Sequence, residues 1–452
     1  MPTVTSLATL FAERPCWARG VPAEADASAS PAIEGEVYDV VIVGAGITGL
    51  TAAFHATRRG LRVAVLEAGE PGAGASGRNS GFVIPTLSRV GPEDVARAWG
   101  AARAARFNAQ LSNAANALFE FIHLERIDCD AQQNGWLQPD QFEAGAAVWQ
   151  NRLRSLRESG AKARLVGPDE FKALTGSARY PAALCLMEGG QIDPLAFTRG
   201  LAAAFVRLGG TLVNGCRLLV PARPQTHQLV RLETPYGTVF ARRAIVATNA
   251  NGHDGAKNLT AATLPFALLL AAYDLPPDGA DHVLCGNQPF SDVGRDMWFF
   301  RRLQGNRLVT GIFPTSTWLT REGINAELTQ RIERVFDVTP ARLTDLWAGR
   351  VGVTPRGLPQ LLQLAPNVFG WTGCNGRGIA LSFVMGQWLA ELAADAPVES
   401  VPMPLQPLKP AGAPRVGVWV ARRLIAAERR RRTQRDRCAG HPARGEATTP
   451  AD

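Results

Sequence analysis

Apolar residues run without polar alternation through "YDVVIV", residues 38–43. That pattern predicts a strand covered on both faces, as in a parallel sheet. A helical stretch from about 47 to 59 follows and stops before Gly60, and "LRVAVLE" is a second strand. Together they make a βαβ unit. Residues 92–130 are Ala-rich, with Leu111, Ala115, Leu118, Phe119 and Ile122 near helical spacing. A second α/β segment opens at Asp193, a candidate N-cap with Pro194 at the first helical position. It closes at Gly209–Gly210 before the strand "TLVN". "GTVFARRAIVATNAN" suggests two short strands. Residues 264–312 look β-rich, with "MWFFRRLQGNRLVTG" as two strands about a Gly-Asn turn. Residues 366–395 give strand, glycine turn and helix.

These elements predict an α/β fold, α+β overall, with a Rossmann-like domain and a second, β-rich domain. Residues 1–37 form an N-terminal arm. The first domain collects 38–91, 160–263 and 340–395. The second takes 92–159 as a helical insertion and 264–339 as an antiparallel sheet. Residues 396–452 form a Pro-rich linker and a basic C-terminal helix or tail. A chain of 452 residues is long for one core, which agrees with two domains.

Charge changes the picture only at the end of the chain. Lys and Arg number 48 against 40 Asp and Glu, yet residues 415–437 alone carry nine arginines against Glu428 and Asp436. The body is close to neutral. Seven scattered cysteines without a C-x-x-C pair point to reduced thiols in a cytoplasm, and no histidine spacing suggests a metal. Neither a secretory signal nor an apolar run long enough to span a bilayer is present.

The chemistry starts at "GAGITG". Gly44 permits the tight strand-to-helix turn, Gly46 lets a pyrophosphate approach the backbone, and Gly49 lets the helix pack close to the strand. The helix beginning at Ile47 then offers free N–H groups to phosphates. Glu67, followed by Ala68, ends the second strand eighteen residues beyond Gly49, where a carboxylate can hold a ribose. This cradle suits either NAD or FAD. "PGAGASGRNSG" (71–81) could wrap a bulkier cofactor with backbone donors, with Arg78 countering phosphate charge. "AIVATNAN" ends a buried strand in small polar residues. "GWTGCNGRGIALS" sets a second helix N-terminus where it could stabilise a reduced flavin. No second G-x-G-x-x-G unit is visible.

In this order, "DVVIVGAGITGLTAA", "GASGRNSG", "GGQIDP", "AIVATNA", "NRLVTG" and "GCNGRGIALS" resemble the D-amino-acid oxidase-type superfamily of FAD-dependent amine and amino-acid oxidases. The likeness is nearest to the branch containing γ-glutamylputrescine oxidase, through its similar "SGRN-G" run. The resemblance implies that Gly44, Gly46, Ile47, Gly49, Glu67 and Ala68 bind the ADP half of FAD. It puts Ser76, Arg78, Asn79, Ser80 and Gly81 along the path to the flavin, and Thr248 near the pyrophosphate. Gly373, Asn375, Gly376, Arg377, Gly378 and Ile379 would lie near the pyrimidine end of the ring.

The same resemblance implies hydride removal from a carbon bearing an amine to flavin N5, then imine hydrolysis. The substrate would be a small amine or amino acid, with O2 or an electron carrier as acceptor. In "WAGRVGVTPRGLPQ", Arg350 sits one position away from the family's usual carboxylate-binding arginine. No cysteine stands where sarcosine oxidase-like members attach flavin, so FAD is expected to be non-covalent. No catalytic residue is marked. Trp298, Phe300, Arg301 and Arg350 are the candidates for the substrate site. In the tail, Val416, Trp419, Val420, Leu424 and Ala427 predict an amphipathic helix docked by its apolar stripe, with a solvated basic end. Nucleic acid is not expected as a partner, because bases would need interleaved aromatics to stack on. Weak contact with an anionic membrane surface is the remaining use for the tail. An RNA-modifying oxidase and a flavoprotein electron-transfer partner are the alternative functions.

Overall fold

A computed structural model describes residues 4–18, 33–140, 146–224, 229–252, 254–278, 280–316 and 319–438. Two large sheets organise it. The first has its centre at the strand Val37–Val43, flanked in parallel by Val63–Leu66 and Gly237–Val246. It extends through Thr211–Val213 on one side and through Val368–Thr372, Gln360–Ala365 and Leu405–Pro407 on the other. Val40 and Ile42 pack into a core with the helices Ile47–Arg58, Pro194–Arg207 and Ile379–Ala393. Val41 and Val43 enter a second core on the opposite face, with Leu218, Leu232 and Leu259. That two-sided burial is what the unbroken apolar run required.

The second sheet runs in the order Arg342–Val353, Leu264–Asp274, Arg307–Ile312, Phe299–Leu303, Phe290–Ser291, Trp136–Asp140, Ala182–Leu186 and Ala163–Val166. The boundaries between the units therefore differ from those expected at two places. Strands 163–166 and 182–186 belong to this second sheet, as does 342–353. Strands 182–186 and 342–353 are held there by 136–140 and 264–274, partners distant in sequence that local patterning does not register. "GTVFARRAIV" is one ten-residue strand, not two. Its first half pairs antiparallel with Val230–Thr234, and its second half runs parallel with Val37–Val43.

Part of the N-terminal arm is built into the body. The strand Val4–Thr5 pairs with Leu319–Thr320, and Trp17 is buried with its Nε1–H donated to Asn79 O at 3.0 Å. The remaining arm residues, 1–3 and 19–32, lie outside the described residues, as do 439–452.

The C-terminal helix Pro414–Cys438 docks the other way round from expectation. Arg429 pairs with Asp296 at 2.7 Å, Arg432 with Asp292 at 3.1 Å, and Asp436 with Arg179 at 2.8 Å. Val416, Trp419 and Val420 of the apolar stripe face solvent instead. The ion pairs win because Asp292 and Asp296 are themselves buried and need cationic partners. Among the described residues no helix is long and apolar enough to cross a membrane.

Candidate functional site

A cavity of about 1070 Å³ runs from the first sheet to the second, at the upper end of the roughly 300–1,000 Å³ usual for small-molecule sites. At one end stand Gly44, Gly46, Ile47, Glu67 and Ala68. Gly44 has φ +107°, a left-handed turn conformation that favours glycine. Gly49 does not line the cavity. A Cβ there would fall 2.0 Å from Gly44 O, so its absence lets helix and strand close on each other. The bare backbone at Gly46 faces Ser76, whose Oγ accepts the Ile47 N–H at 3.0 Å.

Glu67 holds this turn in shape. Its Oε2 accepts from Ala45 N at 2.7 Å and its Oε1 from Gly69 N at 2.9 Å. Each oxygen keeps another lone pair for a ligand. Burial pushes this carboxyl above its ordinary value, and the two N–H groups partly offset that. Thr248 also lines the cavity, and its Oγ1 is buried with no hydrogen-bond partner. An orphaned hydroxyl beside a helix N-terminus whose first N–H groups lack intrahelical acceptors is a site made for phosphate oxygens.

The wall between the two ends combines the loop 72–80 with the turn 374–379. Asn375 fixes that turn. Its Oδ1 accepts from Thr354 N at 2.8 Å, while its Nδ2 donates to Gly357 O at 2.9 Å and Gly373 O at 2.8 Å. Gly376 and Gly378 lead into the helix Ile379–Ala393, so a second set of first-turn N–H groups faces the cavity. Gly373 supports the turn from behind, off the cavity wall, with φ +89°.

Two residues expected along the flavin path point elsewhere. Arg78 donates to Ala348 O at 2.7 Å and Glu13 O at 2.7 Å, so it ties the arm to the second sheet and does not line the cavity. Gly81 lies against Arg301. A Cβ there would come 2.0 Å from the guanidinium, which is why the chain needs glycine at that point. Asn79 and Ser80 do line the cavity. Arg377 lies on the wall, but its Nη1 reaches across to Thr86 Oγ1 at 2.5 Å and Leu87 O at 2.9 Å.

The far end is formed by the second sheet. Here the strand Phe299–Leu303 sorts the "WFFRR" candidates by alternation. Phe299 faces the cavity. Phe300 points into the core between Phe290 and Phe336, with ring centroids at 5.3 and 5.0 Å. Trp298 lies off the cavity under the guanidiniums of Arg179, Arg331 and Arg432, at 4.9, 5.3 and 4.6 Å. Arg301 shares the face of Phe299 but is fully buried, donating to Ile192 O at 2.5 Å and stacking on Trp17 at 4.9 Å. Trp298, Phe300 and Arg301 are therefore scaffold, and Phe299 is the cavity residue the sequence reading missed. Strand register would have exposed it, since Phe299 and Phe300 cannot share a face. Phe266 and Leu268 of the neighbouring strand line the cavity, and Arg350 borders it, but Arg350 is registered with Ala267 and its guanidinium lies 5.0 Å over Phe11 on the opposite face of the sheet. Ala421, Leu424 and Ile425 of the C-terminal helix close the same end, a contribution invisible before the helix was placed.

Against known proteins, the sequence profile of the family described as DAO, FAD dependent oxidoreductase, matches residues 39–392. The chain is 27% identical over 357 residues to gamma-glutamylputrescine oxidoreductase of Escherichia coli, covering 78% of this chain and 83% of that one. It is 28% identical over 367 residues to probable oxidoreductase OrdL of Rhizobium meliloti, covering 78% and 82%. Among solved structures, glycine oxidase from Geobacillus kaustophilus superposes with TM-score 0.64 at 20% identity, over 81% of this chain and 98% of that one. L-proline dehydrogenase from P. horikoshii gives TM-score 0.66 at 17% identity, over 81% and 96%.

Proposed function

The chain belongs to the FAD dependent oxidoreductase family, and from that premise we propose that it oxidises the C–N bond of a small amine or amino acid. The observation that carries this reading is the continuity of one cavity. It joins the glycine–Glu67 cradle to a pocket end walled by Phe299, Phe266 and Leu268. The gamma-glutamylputrescine oxidoreductase relative supports an amine as the reacting group.

In this reading Gly44, Gly46, Ile47, Glu67, Ala68 and Thr248 hold the adenosine and pyrophosphate. Ser76, Asn79, Ser80, Asn375, Gly376, Gly378 and Ile379 flank the ring, and FAD is held without a covalent bond. When bound, FAD supplies the acceptor for the hydride taken from the substrate carbon. The chain's own residues orient and desolvate. Phe299, Phe266 and Leu268 form an apolar wall that excludes water from the reacting C–H bond and favours a neutral amine. Arg350, whose guanidinium lies 5.0 Å over the Phe11 ring on the opposite face of the sheet, braces this wall from behind and offers the substrate no charge. The imine leaves to hydrolyse, giving a carbonyl compound and an amine or ammonia. The acceptor that reoxidises the cofactor is O2 or an electron carrier. The outward Val416, Trp419 and Val420 beside Arg423 suit weak contact with an anionic lipid surface.

The test is an anaerobic screen of amines, polyamine conjugates, N-methyl amino acids and D-amino acids, followed by flavin absorbance. Bleaching by one class at stoichiometric substrate supports the reading, and re-admission of air then reports the acceptor. Flavin that stays oxidised with every amine would refute it.

A further inference from the structure

Off the far end of the main cavity opens a second chamber of about 340 Å³. Arg89, Arg152, Arg377, Gln138 and Val90 line both spaces, so they form the passage between them. Beyond the passage the chamber is walled by apolar residues, Leu111, Leu156, Leu184 and Leu186, with Asn108 and Ser155 as polar points. Glu93 is the single acid on its described wall, against three guanidiniums.

None of the three arginines forms an ion pair with a described residue. Arg89 donates to Gly294 O at 2.8 Å, Arg152 to Gln138 Oε1, and Arg377 to Thr86 Oγ1 and Leu87 O. Arg377 also stacks over Trp136 at 4.7 Å. Each of these acceptors is neutral, and each guanidinium has further N–H groups than these bonds use. The acids whose fields reach them are Asp140 for Arg152, and Glu428 and Asp292 for Arg89, the last two already turned toward Arg432. Burial lowers the basicity of all three, Arg377 to about 9, and Arg89 and Arg152 weaken it further by repulsion. Arg152 and Arg377, half-buried at one opening with the exposed Arg89 at its rim, carry a cost that an anion joining them would relieve. Planar guanidiniums suit a carboxylate in particular, which they can grip with paired N–H bonds.

We propose that this passage binds a carboxylate carried at the far end of the amine substrate, with Arg152 and Arg377 as its principal donors. The substrate would then be an ω-amino acid or acyl-amine conjugate lying across both spaces, its nitrogen against Phe299 and its acid in the passage. The inference rests on the amine-oxidation reading for the identity of the substrate, but the anion site itself can be tested separately.

The test titrates the native FAD-loaded protein with glutarate by calorimetry, with glutaramide and inorganic phosphate as comparison titrants. Glutarate should bind, glutaramide should not, and Arg152→Met should weaken glutarate about ten-fold or more. Arg152→Lys should recover part of the loss and guards against misfolding of the Met variant, as does Arg377→Met in parallel. A second arm compares 5-aminopentanoate with 5-aminopentanamide as substrates. The acid-over-amide ratio in kcat/KM should fall by about the same factor in Arg152→Met. Glutarate binding that is absent, or equal in the variant, overturns the proposal, and tighter binding of phosphate than glutarate reassigns the passage to phosphate. Flavin bleached by amines without any preference for the acid sinks this inference and leaves the amine reading intact. Glutarate bound through Arg152 in a protein that no amine reduces does the reverse.

Discussion

Ser76 Oγ accepts the amide proton of Ile47 at 3.0 Å and stands 2.8 Å from where a side-chain carbon on Gly46 would sit. The loop that follows the second strand is thereby clipped to the first turn of the phosphate-side helix. Gly46→Ala forces Ser76 aside and narrows the approach to the helix N-terminus. FAD affinity should drop about ten-fold or more while the sheet stays folded. Fluorescence titration of the cofactor-stripped variant checks this, and unaltered affinity would remove Gly46 from the cradle.

Phe299 and Phe300 give a matched pair on one strand. Phe300→Ala opens a void between Phe290 and Phe336 and should cost about 3–5 kcal/mol of stability. Phe299→Ala should disturb KM and substrate preference more than melting temperature, since the ring borders a cavity. Thermal unfolding and steady-state kinetics on both variants decide the matter. Equal loss of stability would contradict the assigned faces.

The Asn375 side chain joins the turn 373–378 to the segment 354–357, accepting from Thr354 N and Thr354 Oγ1 and donating to Gly357 O. Asn375→Ala leaves backbone groups unpaired and should cost about 1–3 kcal/mol. Looser FAD retention should accompany it, because the turn borders the cavity. A melting temperature within error of the parent would show that water replaces the side chain.

Acid should release the C-terminal helix before the sheets unfold. Burial pushes Asp296 upward, but the guanidiniums of Arg331 and Arg429 outweigh it and hold the carboxyl below its ordinary 3.8. A depressed carboxylate stabilises above its unfolded value and loses that contribution as pH falls through the folded one. The Asp296 pair is therefore complete above pH 3.8 and is lost as pH falls below it, whereas burial pushes the Asp292 carboxyl upward, so its pair with Arg432 lets go first. Hydrogen exchange in residues 414–438 across this range measures the release, and Asp296→Asn should expose the helix already at neutral pH. Protection that is insensitive to both would place the anchoring elsewhere.

Much of this was legible beforehand because it is local. "VVIVGAGITG" fixes a strand, a turn and a helix within ten residues, and Glu67 follows just after the second strand, on the cavity wall. Asp193 and Pro194 cap their helix as expected, with Asp193 Oδ1 accepting from Leu195 and Ala196 at 2.9 Å each. What stayed hidden depends on partners distant in sequence. Arg78 looks like a phosphate ligand until Ala348 and Glu13 arrive beside it, and Arg301 looks like a substrate ligand until Ile192 does. The tail misled for a related reason. Its apolar stripe promised packing, but two buried aspartates at 292 and 296 claimed its arginines, and nothing in residues 414–438 announces them. The arginine passage was missed likewise, since Arg89, Arg152 and Arg377 come from three separate segments.

The most direct measurement is the visible spectrum of the purified chain before and after acid precipitation. The account predicts a yellow protein with one FAD per chain, all of it released into the supernatant on denaturation. Colourless folded protein that takes up no FAD when supplied, or pigment that stays on the precipitated polypeptide, would contradict it.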